Sequence, residues 1–266
     1  MTDGNSFHPV KRFRKDGFDV CEKDDGAEYW RIIQAYHSAG IDRDTLMARQ
    51  SGGHDPVIVA TGTGAMEFHP LVYNNPKRMV FKVIDGGRPY ILKWMRRGSV
   101  GLNRVWPWGR GLTYHTRLFE MVRRAVDGGC VSTQDYRLVA EKWLAAFRME
   151  VFVLLEYVEG AAFACKENRD ELLPALRRST EDLIRHGLTL DDLSPYNFLV
   201  GDDGVIRFID LSCRFPTRLN AVKMIMKMNN RYGIDLPVRG WRDTLLRSFL
   251  AARYAVLGRL GGKEFK

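Results

Sequence analysis

The pattern of hydrophobic and polar positions predicts strands in the first part of the chain. Residues 78–85 and 88–95 are two apolar runs of strand length joined by Asp85-Gly86-Gly87, a strong hairpin signal. Residues 136–145 and 150–157 predict two further strands. The second of these contains the continuous apolar stretch VFVLL, which is typical of a central, well-buried strand.

A helical period marks other segments. Residues 28–37 place Tyr29, Trp30, Ile33 and Tyr36 on one face, and a second short helix is predicted near 43–50. Residues 113–127 also form one apolar face and end at Gly128-Gly129. After Gly160 the pattern is mainly helical, starting with a helix that runs to His186-Gly187. The order of elements therefore predicts an α+β fold with a boundary near Gly160.

The stretch HGLTLDDLSPYNFLVGDDGVIRFIDLS, residues 186–212, concentrates acidic residues between short apolar runs. NFLV and VIRFID are separated by GDDG, which predicts a hairpin with Asp202 and Asp203 at its tip. Asn197 begins the first of its strands and Asp210 ends the second, so both should lie towards the same rim. Asp192 precedes Asn197 by five residues, in the loop that leaves the helix, and we expect all three side chains to converge.

These residue types suit phosphoryl transfer. The Asp210 carboxylate and the Asn197 amide oxygen are hard ligands that suit Mg²⁺ bound to phosphates. A carboxylate beside the metal, Asp192, can orient a hydroxyl and accept its proton. Asp and Asn are also common turn formers, so the spacing alone is a weak signal. The role of Asp191 stays undecided, although only Asp192 keeps the five-residue step to Asn197.

Two charged residues upstream interrupt apolar segments. Lys93 lies in the strand YILKWM and Glu120 in the helix RLFEMV. Either could be a solvent-exposed residue, Lys93 on an edge strand. Together they match a strand lysine held by a helix glutamate, an arrangement that positions an ammonium group over nucleotide phosphates.

Composition narrows the class of protein. The chain has 266 residues, enough for one large or two-lobed domain, and a formal net charge of +9. From Arg214 onward there are 12 Lys and Arg against three acidic residues, so the basic character belongs to the C-terminal fifth. Four separated cysteines without C-x-x-C favour reduced thiols. We find neither a signal-peptide core nor an apolar stretch of 18 residues, and expect a cytosolic protein.

The motifs resemble those of the protein-kinase-like superfamily. YILKWM resembles the lysine strand, LEYVEG the hinge between two lobes, and HGLTLDDLSPYN the catalytic loop, while IDLS stands where that superfamily has D-F-G. The resemblance implies a small antiparallel-sheet N-lobe with one main helix, and a larger, mostly helical C-lobe. It implies ATP and Mg²⁺ as cofactors, with Asp192 as the catalytic base and Asn197 and Asp210 as metal ligands. Lys93, held by Glu120, would contact the phosphates, and backbone groups near Glu156 and Val158 would contact adenine.

Departures from that pattern narrow the substrate. Ser194 stands where Ser/Thr protein kinases have a lysine, and no A-P-E-like segment follows, so a protein substrate is disfavoured. VYNNPKRM occupies the place of the glycine-rich loop but contains no glycine. A pseudokinase that binds lipopolysaccharide or a partner protein is therefore one alternative, and a kinase of a soluble sugar or aminoglycoside is another.

Within the superfamily, RLFEMV, LLEYVEG, IRFIDLS and the late NNRYGID are most similar to bacterial lipopolysaccharide core heptose kinases. That resemblance implies phosphate transfer to a heptose of the inner core at the inner face of the cytoplasmic membrane. It divides the chain into an N-terminal helical extension (1–60), an N-lobe (61–158) and a C-lobe with a basic tail (159–266).

The tail contains a predicted helix from Trp241 to Leu260, with Leu246, Phe249 and Leu250 among the residues on one broad side. We expect it either to pack on the helical lobe or to contact an anionic membrane surface. Interleaved aromatic residues are sparse, so no nucleic-acid partner is expected.

Overall fold

A computed structural model describes residues 10–42, 46, 55–62, 64–75, 77–100, 113–144, 147–209, 211, 217–237 and 240–259. The chain divides into two compact units. The first comprises residues 1–123 with 135–157, and the second comprises residues 124–134 with 158–266. The boundary predicted after residue 158 lies next to this division, and residues 124–134 are the part that the sequence did not assign to the second unit.

The first unit is built on an antiparallel sheet. Its elements are β1 Val10–Lys15, β2 Phe18–Lys23, α1 Trp30–Ser38, β3 Val57–Thr61, β4 Gly64–Asn75, β5 Arg78–Asp85, β6 Arg88–Val100, α2 Tyr114–Asp127, β7 Tyr136–Leu144 and β8 Phe147–Glu156. Among the described residues the strand order is β1-β2-β7-β8-β6-β5-β4-β3. The VFVLL strand, β8, is therefore interior, as predicted. Gly86 and Gly87 both have positive φ, 56° and 79°, and close the predicted β5–β6 hairpin.

Helix α1 covers one face of this sheet. Trp30, Ile33 and Tyr36 are almost fully buried and pack in one cluster with Leu92 and Phe152, among other residues. The predicted apolar face of this helix is confirmed. Each large side chain buried in this way contributes about 1.5–3 kcal/mol of transfer free energy.

The predicted N-terminal helical extension is wrong for residues 10–23. They form strands β1 and β2, and β2 pairs with β7 in the main sheet. The turn between them is Asp16-Gly17, with φ of 51° and 81°, which is the favoured two-residue hairpin turn. This dipeptide was a readable signal in the sequence. The helix predicted near 43–50 lies outside the described residues except for Leu46.

The second unit contains α2's last four residues and a mainly helical remainder. Its further elements are β9 Ala161–Ala162, α3 Arg169–Arg185, β10 Phe198–Val200, β11 Ile206–Phe208, α4 Arg218–Tyr232 and α5 Trp241–Arg259. The predicted hairpin is present as β10 and β11, and β9 pairs with β10 on its other side. The predicted α+β class, with an antiparallel sheet first and helices later, is confirmed. Within the part of the chain described, no helix is long and apolar enough to cross a membrane.

Candidate active site

The loop between α3 and β10 exposes one acidic residue and buries the apolar residues around it. Leu188, Leu190 and Leu193 are buried, whereas Asp192 is exposed and Asp191 is half-buried. Burial of these leucines fixes the path of the loop, because turning any of them towards water would forfeit its transfer free energy. Asp192 is thereby held at the surface of the second unit.

Asp192 and Asn197 lie together, as their spacing predicts. The Asn197 Nδ2 amide donates to Asp192 Oδ2 at 3.2 Å, and the Ser194 backbone N–H donates to Asp192 Oδ1 at 3.0 Å. A short 3-10 turn over Pro195–Asn197 brings the two side chains to one side. Because the amide nitrogen faces Asp192, the amide oxygen of Asn197 is the atom suited to a cation.

Asp210 lies outside the described residues, but its neighbours in the chain are described. The Ile209 backbone N–H donates to the Asn197 carbonyl at 2.9 Å, and Leu211 is buried. The hairpin register also opposes Phe198 and Phe208. The backbone immediately before Asp210 is thus hydrogen-bonded to Asn197, and the convergence of the Asp210 and Asn197 side chains stays a prediction.

Helix α4 holds this loop, and sequence reasoning did not find the residues that do so. Lys227 Nζ donates to the Asp191 carbonyl at 2.8 Å. The Tyr232 hydroxyl donates to the Leu193 carbonyl at 2.6 Å, and burial raises the pKa of this phenol. Met224 Sδ accepts the Leu190 N–H at 3.3 Å. These three contacts support the backbone on both sides of Asp192.

A second anchor lies at the end of α3. The Asp182 carboxylate accepts the backbone N–H groups of Val131 and Ser132 at 3.1 and 3.2 Å, and the Cys130 thiol at 3.4 Å. His186 lies 3.2 Å from the same carboxylate and 3.0 Å from the Gly128 carbonyl. Burial acts to raise the pKa of Asp182, but the hydrogen bonds from Ser132 and Cys130 and the charge of His186 lower it overall. Burial raises the pKa of the Cys130 thiol to about 12, so this thiol is not a nucleophile at neutral pH.

The backbone next to this anchor is hydrogen-bonded to β11, which ends two residues before the predicted metal ligand Asp210. The Ser132 carbonyl accepts the Phe208 N–H at 3.0 Å, and Thr133 forms a parallel bridge with Phe208. Cys130, Asp182 and His186 also offer three potential metal-ligand atoms within 4.8 Å of one another. Asp182 already accepts three hydrogen bonds, so we interpret this cluster as a structural link and not as a metal site.

In the first unit, Lys93 lies on an interior strand and not on an edge. β6 pairs with β5 on one side and β8 on the other, so that Lys93 stands between Val80 and Val153. Its neighbours in the strand, Leu92 and Trp94, face the α1 cluster, which places half-buried Lys93 on the opposite face of the sheet. Valine residues therefore flank Lys93 on both neighbouring strands.

Glu120 has an ion-pair partner that the sequence did not predict. Its carboxylate pairs with Arg12 of β1. Arg12 and Lys93 belong to one cross-strand row, which runs Arg12, Cys21, Val139, Val153, Lys93. Four strand spacings separate the two cations, about 19 Å between their Cα atoms. The Lys93–Glu120 pairing stays a prediction.

Glu156 ends β8 and is joined to a network of buried charges. Its N–H donates to the Asp135 carbonyl at 2.9 Å, and its exposed carboxylate lies 3.3 Å from Arg137. Asp135 is buried and lies within 3.4 Å of three cations, Lys23, Arg123 and Arg137. Val158 is half-buried in the second unit.

Comparisons with known proteins identify relatives of this chain. A family model described as "Lipopolysaccharide core biosynthesis protein (WaaY)" matches residues 105–251. The lipopolysaccharide core heptose(II) kinase WaaY of Escherichia coli is 27% identical over 127 residues, which cover 47% of this chain and 54% of that protein. The chain thus spans about half the length of this curated relative.

Two solved structures also match. WbdD, crystallised with a kinase inhibitor, is 18% identical, with a TM-score of 0.38, covering 73% of this chain and 47% of that one. The BubR1 kinase domain is 12% identical, with a TM-score of 0.40, covering 69% of this chain and 59% of that one.

Proposed function

The chain belongs to the lipopolysaccharide core biosynthesis protein (WaaY) family, and we propose that it is an ATP-dependent kinase that phosphorylates a heptose of the lipopolysaccharide inner core. The observation that carries the proposal is the Asp192–Asn197 contact, in a loop held by α4 and bonded to the backbone beside Asp210. The name of the curated relative supports the heptose as acceptor.

Each residue has a role in this proposal. Asp192 would orient the acceptor hydroxyl and accept its proton, because its carboxylate is exposed and fixed by two hydrogen bonds. The Asn197 amide oxygen and the Asp210 carboxylate would hold Mg²⁺, which neutralises phosphate charge. Lys93 would contact the nucleotide phosphates. Its half-buried, apolar surroundings strengthen its attraction to an anion relative to a fully hydrated lysine.

Adenine would meet backbone groups at Glu156 and Val158. The N–H of Glu156 is already bonded to Asp135, so the carbonyl of Glu156 is the group suited to the exocyclic amine of the base. The protein would act at the inner face of the cytoplasmic membrane, and its basic C-terminal region would contact anionic lipid there.

Substitution of Asp192 tests the catalytic assignment. Asp192→Ala should lower phosphate transfer to extracted core oligosaccharide by about 10²–10⁴-fold, the usual contribution of a positioned general base. Asp210→Ala should abolish transfer by removing a metal ligand. Asp202→Ala is the matched control, because Asp202 is an exposed acid at the tip of the same hairpin region. Normal turnover in Asp192→Ala with an intact fold would remove this assignment.

A pseudokinase is the second candidate, favoured by the ion pair between Glu120 and Arg12. The Glu120 carboxylate is paired with β1, and VYNNPKRM, which occupies the place of the glycine-rich loop, lacks the glycines that cover phosphates. Binding of a fluorescent ATP analogue separates the two. A kinase should bind it in the presence of Mg²⁺, whereas no binding with any divalent metal would favour the pseudokinase.

A further inference from the structure

Among its described side chains, helix α5 buries one large apolar residue and leaves three others exposed. Leu250 is 1% exposed, in a helix that contacts α4. Trp241, Leu245 and Phe249 are 69%, 60% and 64% exposed. Residues four apart lie on one helix face, so these three form a continuous exposed stripe. Phe249 and Leu250, predicted on one broad side of this helix, lie one helical step of about 100° apart, and only Leu250 of the two is buried.

The exposed stripe borders an open groove of about 550 Å³. The residues that line it are Arg218, Trp241, Arg242, Leu245, Leu246 and Phe249. The Arg242 guanidinium lies 5.3 Å from the centre of the Trp241 ring, and Arg218 lies 3.8 Å from the Asp243 carboxylate. The groove therefore combines apolar side chains with two arginines, one of which is paired with Asp243.

The surrounding charge determines what fits this surface. Helices α4 and α5, with the residues 233–237 and 240 between them that are described, carry eight Lys and Arg against two Asp. An apolar protein partner would not require this excess of positive charge. A membrane with anionic lipids satisfies both features, since acyl chains cover the aromatic and leucine side chains while headgroup phosphates meet the arginines. Trp and Arg are also the residue types that favour the membrane interface.

We propose that Trp241, Leu245 and Phe249, with Arg218 and Arg242 in the same groove, form an interfacial surface that binds an anionic phospholipid bilayer. This deepens the proposed function, whose membrane contact it assigns to one helix face, and its physiological setting rests on that function. Binding to lipid does not depend on phosphate transfer, so the two proposals can fail separately.

The test is vesicle binding by the full chain. Flotation should recover the protein with vesicles of phosphatidylcholine and phosphatidylglycerol, and much less with phosphatidylcholine alone. Leu245→Ser with Phe249→Ser should weaken binding at least tenfold, because two large apolar side chains no longer enter the interface. Arg242→Gln should weaken it about fivefold and reduce its salt dependence. Leu71→Ser, at an exposed leucine of β4 in the first unit, is the matched control and should bind like wild type.

Quenching of tryptophan emission by lipid is an independent measurement of whether the helix enters the bilayer. Brominated lipid should quench part of the wild-type tryptophan emission, and this part should be missing in Trp241→Phe. Equal binding to neutral and anionic vesicles would overturn the proposal, as would unchanged binding of the Leu245/Phe249 variant. A third result would also overturn it: wild-type protein that does not bind vesicles but self-associates, with self-association lost in the Leu245/Phe249 variant. That result would assign the stripe to a protein interface.

Activity distinguishes this proposal from the proposed function. The Leu245/Phe249 variant should phosphorylate core oligosaccharide freed of its lipid at the wild-type rate. If wild type fails to phosphorylate that substrate while vesicle binding follows the expected pattern, the kinase assignment fails and the surface stands.

Discussion

Replacing Asp135 should destabilise the first unit more than any surface change, because one buried carboxylate serves three cations. The side chains of Asp135 and Arg123 are only 5% and 2% exposed, and Arg123 Nη1 lies 3.1 Å from both carboxylate oxygens. Lys23 and Arg137 lie 3.2 and 3.4 Å away. Asp135→Asn removes the shared negative charge and leaves positive charges desolvated beside one another.

The expected cost is about 3–5 kcal/mol, the range found when one partner of a buried ion pair is removed. Arg123→Met should cost less, about 1.5–3 kcal/mol, because Lys23 and Arg137 still neutralise Asp135. The double variant Asp135→Asn/Arg123→Met should be more stable than the sum of the two losses implies, since it no longer buries the arginine charge.

Urea unfolding at neutral pH measures these free energies, followed by tryptophan emission because Trp30 and Trp94 belong to the first unit. Glu181→Gln, a half-exposed acid of α3 paired with Arg177, is the control and should change stability by less than 1 kcal/mol. A loss below 1 kcal/mol for Asp135→Asn, or strictly additive losses in the double variant, would refute the reasoning that the network is electrostatically coupled.

Three further outcomes are expected. Gly160→Ala should destabilise strongly, because φ is 154° and the new Cβ would lie 2.6 Å from a backbone carbonyl oxygen of β10; Gly62→Ala, with open space around it, is the control in a thermal melt. Asp182→Asn should lower the free energy of unfolding at pH 7. The pKa of Asp182 is lowered in the folded protein, so this carboxylate contributes its full stability only above its unfolded pKa of about 3.9. The loss of stability in the variant, measured by urea unfolding, should therefore shrink as the pH falls below 4. A deficit that persists unchanged at pH 3 would contradict this. Tyr232→Phe should cost about 0.5–1.5 kcal/mol by removing the hydrogen bond to the Leu193 carbonyl, and steady-state kinetics should show a lower kcat with little change in the KM for ATP.

The local pattern of the sequence was enough to predict most elements and the contact between two of the proposed site residues. Alternation and the Asp85-Gly86-Gly87 turn predicted the β5–β6 hairpin, and helical spacing predicted α1 with its buried face. The five-residue step from Asp192 to Asn197 predicted their contact, because a short loop limits where two such side chains can lie. The same reasoning could have found β1 and β2 from Asp16-Gly17.

Contacts between distant segments could not be read in this way. Lys227 and Tyr232 reach the Asp192 loop from a helix more than 30 residues away, and nothing in their own spacing names the carbonyls that they bind. The pairing of Glu120 with Arg12 depends on a strand order that places β1 next to β2 and two strands from β7. The sequence by itself determined the local turns and predicted which residues would carry phosphoryl-transfer chemistry. Only the tertiary structure decided which helix supports them and which apolar residues of α5 stay exposed. The reason is that burial depends on packing between distant segments, whereas the hydrophobic period describes one segment alone.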